Sequence, residues 1–172
     1  MLIFFAMIFS RIAHFGQKRK YTGEPYFYHT QEVANIVASV PHTKEQIAAA
    51  YLHDTVEDTW VQLWMIRLLF GTKVASLVSG LTDISRPEDG NRAKRKQLDL
   101  VHSSFASPDG KTVKLADIIS NSISIAENDP KFAKVYMAEK ERLLEVLNEG
   151  DRTLYARARE ILDNWNSFKR IV

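Results

Sequence analysis

Between Tyr51 and Thr59 the chain reads YLHDTVEDT, a concentration of groups that bind metals or move protons. His53 and Asp54 stand side by side, and an acidic pair, Glu57 and Asp58, follows within one helical turn. Residues four apart share a helix face, so a continuous helix here sets His53 over Glu57 and Asp54 over Asp58. Imidazole beside carboxylate suits a borderline or hard divalent ion such as Mn²⁺, Fe²⁺ or Zn²⁺. An isolated His-Asp pair is ordinarily just a solvated acidic helix end, so the argument for a site rests on two distant segments. Upstream, GQKRKYTGEPYFYHTQEVANIV (16–37) carries a basic cluster at Lys18, Arg19 and Lys20, a turn signal from Thr22 to Pro25, three aromatics and then His29. Downstream, KTVKLADIISNSI (111–123) places Asp117 inside an apolar helical pattern, with Lys114 three residues before it and Asn121 four after. A carboxylate on the buried side of a helix is costly unless it is paired or holds a cation.

The H…HD…D spacing resembles the HD phosphohydrolase superfamily. The finer pattern is GQKRK, GEPY and His, then LHDTVEDT, FG, LTD, a basic run, VKLAD and a following Asn. It is similar to the hydrolase domain of the RelA/SpoT homologues, in particular the small single-domain alarmone hydrolases, from about Ile12 to about Leu147. That resemblance implies one divalent ion, with Mn²⁺ as the expected metal, held by His29, His53, Asp54 and Asp117 and activating a water near neutral pH. It assigns Glu57 and Asp58 to that water or to the leaving oxygen, as general acids or bases. It puts Arg19 and Lys20 on the base or phosphates of a nucleotide, where the planar guanidinium suits bidentate contacts. Asn121 is implied to contact ribose or substrate, and Tyr136 is aligned with a later substrate-contacting tyrosine. Lys114, one turn before Asp117, adds a third cation to this basic ring.

The implied reaction is removal of the 3′-pyrophosphate from ppGpp or pppGpp in the cytoplasm, a stringent-response activity, giving GDP or GTP and pyrophosphate. Three alternatives stay open: an HD phosphohydrolase acting on another nucleotide such as NADPH, a catalytically silent nucleotide-binding HD domain, and a purely structural helical module. Two positions depart from the family pattern. Thr30 stands where proline usually follows the first histidine, and Thr is also good at a helix start. Tyr21 and Thr22 make the turn after Lys20 one residue longer than in the shorter family loops.

Composition bounds these readings. A chain of 172 residues is of single-domain length and can bury a substantial core. The family pattern leads one to expect a single HD hydrolase domain over 1–172, with no synthetase or regulatory domain. With no cysteine there is neither a disulfide framework nor a thiolate metal site, a composition at ease in a reducing cytosol. A formal net charge of +2 is too small to argue for nucleic acid as a bulk partner. The clustering of cations at 18–20 and 92–96 suits a compact polyanion such as a nucleotide with several phosphates. The apolar start, MLIFFAMIF, is too short for a bilayer, which needs about 20 residues. It also lacks the basic start and cleavage site of a signal peptide. It suits a first core helix running on to His14, with a homo-oligomer contact as a second use for its aromatics. No membrane partner is expected.

The remaining pattern is helical, joined by polar turns, and reads as an all-α, HD-type bundle. Apolar spacing predicts helices over Thr30–Val40, Ile47–Val56, Val61–Phe70 and Lys73–Leu81, with a capping box from Thr43 to Gln46. Pro41 closes the first of these, and Gly71 is the C-cap of the third. After a loop at 85–91 come helices over Arg92–Ser103, Val113–Ala126, Phe132–Asn148 and Arg152–Phe168, with turns at 107–110 and Asp129–Pro130.

Overall fold

The computed structural model describes residues 1–168. Among these residues there are nine α-helices, one short 3₁₀ turn (Pro87–Asp89) and no strand. An isolated antiparallel bridge joins Lys18 and Pro25. The chain is all-α and falls into two compact units, Met1–Asp83 and the part from Ile84 onward.

The first unit contains α1 (Leu2–Ala13), α2 (Phe27–Ala38), α3 (Lys44–Leu52), α4 (Thr55–Asp58) and α5 (Leu63–Leu81). α3 is its centre and packs against α1, α2 and α5. Ala48, Ala49 and Ala50 are fully buried there, and their small side chains let neighbouring helices approach closely. The predicted capping box is present: Gln46 N–H donates to Thr43 Oγ1, and Thr43 N–H donates to Gln46 Oε1.

α2 begins at Phe27, three residues earlier than the apolar spacing predicts, so His29 lies inside the helix rather than ahead of it. Thr30 is therefore no helix-start residue. It is fully buried, donates to the Phe27 carbonyl and shares a hydrogen bond with Ser10 of α1. α5 has the length and apolar composition of a membrane span. Gly71, at φ 87°, breaks it where the C-cap was expected, and Ile66, Phe70, Val74, Leu77, Val78 and Leu81 are buried on its two arms.

The second unit contains α6 (Arg92–Ser104), α7 (Pro108–Asn128), α8 (Pro130–Val146) and α9 (Arg152–Phe168). α7 packs on α8 and α9, and α6 packs on α8. The expected turn at 107–110 is instead the first turn of α7. Ser107 caps it by accepting from Gly110 N–H, and Pro108 occupies the first helical position, where its missing N–H costs nothing. Asp129 likewise caps α8 by accepting from Phe132 N–H, with Pro130 first in the helix. On α6, the buried Asp99 carboxylate accepts from the N–H groups of Ile84 and Ser85 in the preceding loop, from the Ser85 hydroxyl and from Lys96.

The turn between α8 and α9 is held by Lys111, a buried cation paired with Glu149, and by Asp151 N–H donating to Thr112 Oγ1. Gly150 sits against the α7 backbone. A Cβ there would lie 2.7 Å from Leu115 Cδ1 and 3.1 Å from both Lys111 C and Thr112 N. Two of the three contacts are backbone and cannot swing aside. Gly150→Ala is therefore expected to destabilise the protein by about 1–3 kcal/mol, the usual cost of overpacking. Urea unfolding of the variant checks this.

Candidate metal centre and active site

His29 comes from the first turns of α2, His53 and Asp54 from the link between α3 and α4. The expected continuous helix through Val56 stops at Leu52. The physical reason is local. His53 Nδ1 bonds the Ala50 carbonyl at 2.8 Å, and Thr55 Oγ1 donates to the Leu52 carbonyl at 2.7 Å. Side chains thus compete for acceptors that the next turn of helix would use. The interruption turns the His-Asp pair toward α2.

His53 Nε2 lies 2.9 Å, and His29 Nε2 3.6 Å, from Asp54 Oδ2. One ligand atom from each of the three residues lies within 4.8 Å of the others. The imidazole rings meet edge to face, with centroids 5.3 Å apart. Both histidines are buried, and the Asp54 side chain is 19 % exposed. The bond to the Ala50 carbonyl requires the His53 proton on Nδ1, which leaves Nε2 as the ligating nitrogen. Two imidazole nitrogens and one carboxylate oxygen converging in this way fit a borderline divalent ion.

Asp54 feels opposing influences. Burial pushes its carboxyl up, but the charges and hydrogen bonds of His53 and His29 outweigh that and hold it well below the ordinary carboxylate range. It stays anionic and able to ligate. Tyr26, at the N-cap of α2, adds a third bond: its hydroxyl donates to Asp54 Oδ2 at 2.6 Å.

The acidic pair divides. Asp58 keeps its helical link to Asp54 through the bond from its N–H to the Asp54 carbonyl at 2.9 Å. Its carboxyl is pushed up by burial of its inner side and by the Asp54 charge, against the lowering influence of His53, Tyr26 and His29. Glu57 reaches toward the end of α5. Its Oε2 accepts from Asp83 N–H at 3.0 Å and so fastens the LTD turn that follows α5.

The basic segment forms a small hairpin-like loop. Arg19 N–H donates to the Glu24 carbonyl and Gly23 N–H to the Arg19 carbonyl, with Gly23 at φ 72°, a conformation glycine adopts without strain. The largely buried Arg19 side chain faces Glu32 at 3.9 Å. Lys20 lies over the Tyr21 ring.

In the second unit Asp117 is buried on α7, as its apolar setting requires, and accepts from Asn121 Nδ2 at 2.6 Å. Asn121 thus orients a carboxylate, a role that the sequence reading did not assign to it. Lys114 lies half-buried one turn earlier on α7. Tyr136 is buried on α8, with Lys140 over its ring and Phe132 beside it.

Three residues of the first unit gain roles that the motifs do not announce: His14, Gln17 and Tyr26. Gln17 Nε2 donates to the Asp58 carbonyl at 2.7 Å, which turns Gln17 Oε1 toward His14 Nδ1, also at 2.7 Å. The His14 ring lies against Tyr26, with centroids 4.9 Å apart. A cavity of about 220 Å³ opens beside them, lined by Arg11, His14, Gln17, Lys18, Phe27 and Tyr28 among others. The signal for Tyr26 is present in the sequence: it precedes His29 by three residues, one helical turn.

The chain belongs to the HD domain family, whose family model matches residues 6–166, a stretch running through both units. It is 37 % identical over 113 residues to a guanosine-3′,5′-bis(diphosphate) 3′-pyrophosphohydrolase of Aquifex aeolicus, covering 66 % of this chain and 16 % of that protein. It is 42 % identical over 85 residues to a probable enzyme of the same name from Synechocystis, covering 49 % and 11 %. To a probable chloroplastic GTP diphosphokinase, RSH3, of Arabidopsis thaliana it is 34 % identical over 131 residues, covering 71 % and 18 %. The chain thus spans less than a fifth of the length of these relatives, at 16 %, 11 % and 18 %. Among solved structures, a metazoan orthologue of SpoT described as hydrolysing ppGpp matches with a TM-score of 0.83 and 26 % identity, over 95 % of this chain and 94 % of that one. A Listeria monocytogenes protein shares the fold at a TM-score of 0.68 and 24 % identity, over 86 % and 99 %.

His14 supplies a pH test of the site's surroundings. Burial holds its pKa below the ordinary 6.5, against the raising influence of Gln17 and Asp54, with His53 and His29 adding to the lowering. A lowered folded pKa means that its stabilising contribution is complete above about pH 6.5 and is lost as pH falls below it, because the unfolded chain binds the proton more readily. Asn can donate to Gln17 as Nδ1–H does but does not titrate. In metal-free protein, the stability difference between wild type and His14→Asn is expected to shrink from pH 7.5 to 5.5, as measured by urea unfolding.

Proposed function

We propose that the chain is a single HD hydrolase domain that removes the 3′-pyrophosphate from ppGpp or pppGpp, a cytoplasmic activity dependent on one divalent ion, with Mn²⁺ preferred. The observation that carries this reading is the convergence of His29, His53 and Asp54 at the family's H…HD positions. The names of the pyrophosphohydrolase relatives and the SpoT orthologue's described activity support the substrate. Asp117, the buried carboxylate of VKLAD, is assigned as the fourth ligand on the family pattern.

When bound, the ion supplies Lewis-acid activation of water and neutralises phosphoryl charge. The chain's own residues do the rest. Asp58, with its carboxyl pushed up, is the group suited to take the water's proton or to protonate the departing 3′ oxygen. The water oxygen bonds to the 3′-linked phosphorus as the bond from that phosphorus to the 3′ oxygen breaks, releasing pyrophosphate and GDP from ppGpp. Glu57 fastens the LTD turn beside this acid. Arg19, Lys20 and Lys114 provide cations for the phosphates, and Asn121 and Tyr136 are assigned to the nucleoside end.

The deciding experiment strips the protein of metal, restores Mn²⁺, and offers ppGpp and NADPH with separate assays for pyrophosphate and phosphate. Pyrophosphate release from ppGpp is expected; phosphate release from NADPH at a far higher kcat/KM would favour the other nucleotide. Asp54→Ala is expected to lose activity while its circular dichroism stays helical, and full activity in that variant would sink the metal reading. Asp58→Asn is expected to retain its Mn²⁺ and lose about 10²-fold or more in kcat, the size of a positioned acid or base. Glu57→Gln, whose amide oxygen still accepts from Asp83, is expected to lose less. Metal content and turnover measured on both variants separate the two roles.

A further inference from the structure

The hydroxyl of Tyr26 bonds the same oxygen, Asp54 Oδ2, that faces both imidazole nitrogens, at 2.6 Å against 2.9 Å to His53 and 3.6 Å to His29. Its ring is held on two sides, by His14 at 4.9 Å and edge-on by His29 at 5.4 Å between centroids. Its backbone is fixed as well. Tyr26 N–H donates to the Gln17 carbonyl, its carbonyl accepts from His29 N–H, and Pro25 precedes it.

We infer that Tyr26 is a positioning residue that sets the rotamer of the Asp54 carboxylate for metal binding. The inference rests on the metal-centre reading above. Asp54 Oδ2 lies 2.9 Å from His53 Nε2. Without a competing bond from another direction, the carboxylate is free to rotate onto that ring and block both Nε2 atoms. A neutral donor at 2.6 Å holds the oxygen where both nitrogens can reach one ion with it. It does so without adding a positive charge that would repel the ion. Partners of this kind typically contribute 10–100-fold to metal affinity. Tyr26 differs from a mere packing residue because the ring and the hydroxyl do separate jobs: the ring fills the space between His14 and His29, and only the hydroxyl touches Asp54.

The test uses the full chain, stripped of metal, with Mn²⁺ binding followed by the electron paramagnetic resonance signal of the free ion and thermal melting run in parallel. Four proteins are compared: wild type, Asp54→Ala, Tyr26→Phe, and a variant with 4-aminophenylalanine at position 26. Tyr26→Phe is expected to raise the Mn²⁺ Kd about 10–100-fold while its metal-free melting temperature stays close to wild type. 4-Aminophenylalanine, which restores a neutral donor at the same point, is expected to recover most of the affinity. Wild-type affinity in Tyr26→Phe overturns the inference. So does a 4-aminophenylalanine variant that binds as weakly as Tyr26→Phe, or a Tyr26→Phe chain that fails to fold without metal, since the hydroxyl would then be a folding determinant. If wild type and Asp54→Ala bind Mn²⁺ alike, it is the underlying metal-centre reading that fails, a result distinct from the other three.

Discussion

The constraint on which this structure depends is the need to keep one carboxylate, Asp54, charged while most of it is out of water. Burial alone drives such a group toward its neutral form. Two imidazoles reverse that and hold it anionic, and a phenol hydroxyl bonds the same oxygen. These partners come from both sides: His53 from the end of α3, His29 and Tyr26 from the start of α2. Satisfying one charge therefore fixes the relation between two helices. Removing a single partner from a buried charged group costs far more than the pair contributes, so these residues act as a set.

The second constraint is the interruption of the helix at His53 and Asp54. A regular helix would project these two side chains about 100° apart, and the pair could not share one site with His29. The bonds from His53 and Thr55 to the carbonyls of Ala50 and Leu52 bend the chain at the point where the chemistry requires it. Fully buried alanines just upstream let α3 lie close to its neighbours, so the short imidazole side chains reach far enough. Gln17, bridging His14 and the Asp58 carbonyl, then fastens the loop after α1 to the far side of the same bend.

Much of this was legible in residue order. The His-Asp pair, the upstream histidine, the capping box at Thr43 and the break at Gly71 all follow from side-chain type and spacing. Asp117 could be recognised as buried because an acid in an apolar helical pattern has nowhere else to go. What escaped was decided by competition between local bonds. Pro108 and Pro130 mark turns and first helical positions equally well, and only Ser107 and Asp129 accepting from N–H groups three residues on make them helix starts. Spacing set Glu57 over His53, and it could not announce the bond from the Asp83 N–H, 26 residues away in sequence. Tyr26 stood in a run of aromatics whose ordinary use is packing, and its place one helical turn before His29 did not by itself announce a bond to a carboxylate.

Two carboxylates, one in each unit, are treated alike by the fold. Asp54 accepts from the Tyr26 hydroxyl and Asp117 from the Asn121 amide, both at 2.6 Å. In each case the partner is a neutral donor placed three or four residues from another functional position on its helix. A lysine or arginine there would also satisfy the oxygen, and more strongly. It would, however, neutralise the charge that attracts a cation and add one that repels it. A phenol or amide fixes the direction of the carboxylate and leaves its charge available.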